Sequence, residues 1–118
     1  MIRRTFAVIA IPLLWFAVGA IFYAALSPVP PMPPGAPSDK VQHIAAFITL
    51  TALAIAAYPR ARWWALLLPL IGFGAAIECA QAIPVLGRSP EWLDLAADSG
   101  AAAMTLLCIN GMMRIIRK

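Results

Sequence analysis

Apolar residues fill four long stretches of the chain, at about 5–26, 41–58, 65–86 and 93–113, and charged residues cluster toward their ends. Within the stretches the apolar positions do not alternate; Ala65-Leu66-Leu67-Leu68 is continuous. A half-buried strand alternates with a period of two, and a membrane β-barrel repeats such segments every ten or so residues. Each run instead matches the roughly 20 residues that a helix needs to cross a bilayer. The pattern predicts an all-α polytopic membrane protein, a four-helix transmembrane bundle forming one domain over 1–118.

Composition narrows the class further. Of 118 residues, 63% are hydrophobic and 12% charged, with a mean hydropathy of +0.86. A soluble domain is about half apolar and a quarter charged. A chain this short has too much surface per volume to hide the excess in a water-facing core. Disorder is excluded too, because it needs low hydrophobicity and high net charge.

The charges are sorted along the chain. Arg3, Arg4, Arg60, Arg62, Arg114, Arg117 and Lys118 flank alternate ends of the runs, with no acid among them. The other ends carry Asp39, Lys40, Glu78, Arg88, Glu91, Asp94 and Asp98. Basic residues in short loops stay cytoplasmic, so both termini and the 59–64 loop are expected on that side. Trp63 and Trp64 then fit an inner aromatic belt and Trp92 an outer one. A nucleic-acid partner is not expected, because the basic residues do not share one face. The first run, preceded by two arginines, is longer than the 7–15 residues of a leader's apolar core, and is read as a retained helix.

The connection 27–38 is rich in proline, including Pro30-Pro31-Met32-Pro33-Pro34, and reads as stiff extended chain over the outer surface or as a lid. Pro12 and Pro69 fall inside spans, where neighbouring helices tolerate a kink. Gly72-x-x-x-Ala76 and Ala96-x-x-x-Gly100 are small-residue patterns that permit close approach. They predict packing between the third and fourth helices, or a homo-oligomer. Cys79 and Cys108 fall at different depths, too far apart for a disulfide, and read as buried small apolar residues. Phosphate-loop, dinucleotide-binding and paired-cysteine metal motifs are absent, so no cofactor and no metal is assigned.

The polar residues that break the apolar pattern lie on the outer side of three runs. Asp39-Lys40-x-x-His43 shares one face of the second helix. Glu78-x-x-Gln81 lies on one face of the third, followed by Pro84-x-x-Gly87-Arg88, where Gly87 supplies a turn. Asp94 and Asp98 stand one turn apart on the fourth. Glu78 falls about 9 Å below Pro84, at hydrocarbon depth, where a carboxylate faces the bundle interior or a cavity. The matched depth of His43, Glu78 and Asp98 predicts an outward-facing polar pocket. His43 and Glu78 are the candidates for proton transfer. Asp39, Lys40, Gln81, Arg88, Asp94 and Asp98 are the candidate ligand-binding residues, with Lys40 and Arg88 suited to a phosphate or carboxylate. Plainer roles compete: Asp39 and Asp94 as helix caps, His43 as a hydrogen-bonded interior residue, Lys40 as an interfacial anchor, Glu91 as a solvated loop charge.

Taken in order, these motifs resemble the VanZ-like family of small bacterial membrane proteins. The resemblance rests on Leu26-Ser27-x-x-Pro30, Asp39-Lys40-x-x-His43 with Phe47, Glu78-x-x-Gln81, Pro84-x-x-Gly87-Arg88 and Asp94-x-x-x-Asp98-x-Gly100. It covers about 26–101. Asp98 departs from the family pattern, which has Asn there, and Met104 stands where a small residue is common. The family takes its name from a protein that gives low-level resistance to teicoplanin. The resemblance implies a multi-pass protein of the bacterial plasma membrane with an envelope-related role. Some members carry the label of soluble-metabolism acyltransferases, which this sequence has no soluble domain to support.

Three functions compete. One is binding or modification of an envelope component, such as a lipid-linked precursor or lipid headgroup. Another is a structural or assembly role in which the charges form a buried ion-pair network. The third is a metal-dependent intramembrane enzyme using His43, Glu78, Asp94 and Asp98, a donor set suited to Mn, Zn or Mg.

Overall fold

A computed structural model describes residues 2–27, 34, 35, 39–87 and 90–118. Arg88, the side chain of Asp39 and most of the proline-rich connection read as a lid lie outside the described residues. Four helices make up almost all of the rest: α1 (Ile2–Leu26), α2 (Asp39–Ala57), α3 (Trp63–Gln81) and α4 (Trp92–Ile116). No strand occurs among the described residues. All four helices are long and apolar enough to cross a membrane.

The apolar run of α3 continues to Leu86, yet the helix stops at Gln81. Pro84 is the reason. Its ring has no N–H to give and pushes the preceding residue out of helical geometry. Ile83 is accordingly extended, with φ −68° and ψ 117°. Pro84–Leu86 then forms a 3-10 turn, closed by Gly87 at φ +63°, whose N–H donates to the Pro84 carbonyl at 3.1 Å. This is the glycine turn expected from sequence. The early stop places Glu78 in the last turn of α3, three residues from its end and so only about 4.5 Å below it.

Side-chain bonds show how the ends align. The Gln81 amide donates to the Ala25 carbonyl at the end of α1. His43 near the start of α2 meets Asp98 near the start of α4. One end of the bundle therefore holds the C-terminal ends of α1 and α3 and the N-terminal ends of α2 and α4. The other end holds the α2–α3 turn and the two chain termini. All five acids lie at or near the first end; Arg4, Arg60, Arg62, Arg114, Arg117 and Lys118 belong to the second.

The helices form a ring in the order α1, α2, α4, α3, and the seam between α1 and α3 is the loosest. Leu14, Leu50, Leu66, Leu70 and Leu106 fill the core toward the basic end, and Phe47 and Ile77 toward the acidic end. Thr51 is fully buried and donates to the Phe47 carbonyl one turn back. That bond satisfies its hydroxyl without a partner from another helix.

Close helix approach comes from a glycine outside the expected patterns. A Cβ on Gly74 would stand 3.0 Å from Leu95 Cδ1 and 3.4 Å from Phe47 Cζ. Gly72, Ala76, Ala96 and Gly100 all face outward instead, so they do not form the α3–α4 contact. Cys79 and Cys108 are likewise exposed on the bundle surface rather than buried. In both cases the helix rotation puts the larger apolar or carboxylate neighbours inward, which periodicity could not resolve in runs apolar all round.

Candidate functional site

The acidic end of the bundle gathers side chains from three helices. From α2 come Lys40 and His43, from α3 Glu78 and Gln81, and from α4 Asp94 and Asp98. Helical spacing explains the grouping. Lys40 and His43, Glu78 and Gln81, and Asp94 and Asp98 are each three or four apart and so share a face.

Three carboxylates are removed from solvent: Glu78 and Asp98 are 1% exposed and Asp94 7%. His43 Nδ1 lies 3.4 Å from Asp98 Oδ2, joining α2 to α4. Lys40 Nζ lies 3.6 Å from Asp94 Oδ1 and 3.8 Å from Glu91 Oε2. Glu78 Oε2 accepts the Glu91 backbone N–H at 2.8 Å. Of the expected approach of His43, Glu78, Arg88 and Asp94, these contacts join His43 to Asp98 and Lys40 to Asp94 at the end of the bundle that also holds Glu78. The expected approach of Arg88 and any role of the Asp39 side chain lie outside the described residues.

Buried carboxylates need compensation, and the helix ends give some. The acids of α4 stand in or just beyond its first turn, where free N–H groups and the positive end of the dipole favour negative charge. The Glu91 N–H that binds Glu78 sits at the cap position of the same helix. The compensation is incomplete. Among the described residues, Glu78 Oε1, Asp94 Oδ1 and Asp98 Oδ1 are buried with no hydrogen-bond partner. Asp94 Oδ1 at least faces Lys40.

Sequence reasoning assigned Gln81 to ligand binding. The structure gives it a structural bond as well, at 2.8 Å to the Ala25 carbonyl. Glu91, read as a solvated loop charge, is exposed but takes part twice, through its N–H and its carboxylate. Every residue but proline has a backbone N–H and every residue a carbonyl, so no residue-type signal marks Glu91 or Ala25. Only their places at helix ends, where such groups go unpaired, single them out.

Lys40 is already shared between two carboxylates, which leaves it a poor anchor for a phosphate. Among the described residues no three His, Cys, Asp or Glu side chains come together as a metal site. The metal-enzyme alternative therefore lacks a donor set there. A cavity of about 320 Å³ lies away from this cluster, between α1 and α3, and its walls are almost wholly apolar.

Comparison with known proteins finds no matching family profile, no matching curated protein and no matching solved structure.

Proposed function

We propose that this chain is a multi-pass protein of the bacterial plasma membrane, with both termini cytoplasmic, that binds an envelope component at its outer, acidic end. Four helices of spanning length and the separation of basic from acidic ends support the placement. We further propose that it is VanZ-like. The ordered motifs from Leu26 to Gly100 support that relation.

The observation that carries the functional reading is that, among the described residues, Glu78 Oε1 and Asp98 Oδ1 are buried with no hydrogen-bond partner, and Asp94 Oδ1 has only the Lys40 ammonium at 3.6 Å. An unpaired acceptor in a dry site costs about 1–3 kcal/mol. A ligand that brings N–H donors and positive charge relieves that cost. An anionic ligand sets its oxygens against the carboxyl oxygens of Glu78, Asp94 and Asp98 and offers them no donor. The preferred ligand is therefore an ammonium-bearing group of an envelope lipid or precursor, with Glu78 and Asp98 as its principal acceptors. His43, held against Asp98, is the side chain placed to pass a proton.

Melting of the detergent-purified protein tests this. Ethylammonium chloride is expected to raise the melting temperature above that in equal sodium chloride. Glu78→Gln and Asp98→Asn are expected to keep the ligand-free melting temperature and lose the shift. No shift in the natural sequence overturns the reading. A second reading, a purely structural network, draws on the His43–Asp98 and Lys40–Asp94 pairs. It expects both substitutions to change stability and ethylammonium to do nothing.

A further inference from the structure

The apolar cavity lies at the loose seam between α1 and α3, floored by α2. Its volume of about 320 Å³ falls at the lower end of the range for ligand pockets. It runs along α3 from Ala65 to Phe73, eight residues or about 12 Å. That is close to the half-thickness of a bilayer's hydrocarbon core, about 15 Å. Tyr58 and Ala65 line the part of it nearest the basic end of the bundle, beside the 59–62 turn.

We propose that this groove seats one acyl chain of an anionic phospholipid, with the lipid phosphate held by Arg60 and Arg62.

The residues at the basic end of the cavity are layered as such a lipid is layered. Arg60 and Arg62 are exposed in the short turn between Tyr58, the last groove residue of α2's side, and Ala65, the first of α3. Among the described residues no carboxylate pairs with either arginine, and all five acids belong to the other end of the bundle. One step inward, the Tyr58 hydroxyl accepts the Trp15 indole N–H at 3.2 Å. Its own O–H proton is left to donate, and an ester carbonyl is the acceptor a phospholipid presents between phosphate and chain. Beyond Tyr58 the walls are Leu14, Val18, Leu70 and Phe73, which match a hydrocarbon chain.

Pro69 adds to the fit. It cannot donate to the Ala65 carbonyl one turn earlier, and both residues line the groove. The seam is thus a place where α3 lacks an internal bond and α1 does not close over it. Basic pockets between helices on the cytoplasmic side are general sites for anionic headgroups. The site is separate from the acidic cluster, so it stands whether or not that cluster binds a ligand.

The test is native mass spectrometry of the full chain released from detergent after exposure to an equal mixture of phosphatidylglycerol and phosphatidylcholine with the same acyl chains. One phosphatidylglycerol is expected to stay bound in preference to phosphatidylcholine. Arg60→Gln with Arg62→Gln is expected to lose the preference. Ala65→Phe, which fills that end of the cavity, is expected to lose the bound lipid, with helicity by circular dichroism unchanged. Arg114→Gln with Arg117→Gln, which removes equal charge elsewhere at the same end, is expected to retain it. Equal retention of both lipids overturns the proposal. So does unaltered phosphatidylglycerol binding in the Arg60, Arg62 variant, or loss that is equal in the Arg114, Arg117 variant.

Discussion

Asp98 shows how one residue ties the acidic end together. It is buried, touches His43 at 3.4 Å, and keeps one oxygen without a partner among the described residues. Removing the imidazole leaves that carboxylate with less compensation. His43→Ala is therefore expected to destabilise by about 1–3 kcal/mol, read as a lower melting temperature in detergent. The double change with Asp98→Asn is expected to recover part of that loss, because no buried charge is then stranded. With Asp98→Asn alone leaving the melting temperature unchanged, a double variant as unstable as His43→Ala shows that the pair is not coupled. Gln81 is a comparable residue on another helix. Gln81→Leu strips the donor from the Ala25 carbonyl, with an expected cost of about 1–3 kcal/mol by the same measurement.

The decisive features of the elements are where they stop and how closely they pack. Pro84 ends α3 early, and Gly87 at φ +63° turns the chain toward α4. A β-branched residue there meets the left-handed penalty. Gly87→Val is expected to lower stability by about 1–2 kcal/mol, whereas Gly35→Val, also at positive φ but in the connection between α1 and α2, tests whether the cost depends on the turn leading into the site. Gly74 governs a different property. Its missing Cβ lets α3 close on Leu95 and Phe47. Gly74→Val overpacks that contact, with an expected loss of about 1–3 kcal/mol in thermal unfolding, while Gly72→Val, facing outward, is expected to be nearly neutral.

For the whole molecule, the separation of charge is the property with consequences. The proposed orientation puts Arg60 inside the cell and Gly35 outside it. Because Cys79 and Cys108 are both exposed on the bundle surface, replacing them by Ala is expected to cost little and to give a clean background. In that background Gly35→Cys is expected to react with a membrane-impermeant maleimide on intact cells, and Arg60→Cys only after lysis. Reaction of Arg60→Cys on intact cells reverses the orientation.

Apolar run length and the lack of alternation determined four helices, because a spanning helix has a minimum length and an unmistakable composition. The charge pattern of the sequence likewise determined which helix ends go together, and the spacing of Asp39-Lys40-x-x-His43, Glu78-x-x-Gln81 and Asp94-x-x-x-Asp98 picked out the faces that meet. Only the tertiary structure decided helix rotation, since runs apolar on every side have no inward-facing signal. It therefore decided that Gly74 and not Gly72 is the close contact, that both cysteines face out, and that α1 and α3 leave a groove. It also decided that Lys40 is engaged by Asp94 and Glu91 and that the Glu91 N–H reaches Glu78. Backbone donors and acceptors are the same at every residue except proline, so which of them a side chain uses depends on where the helix ends come to rest in space.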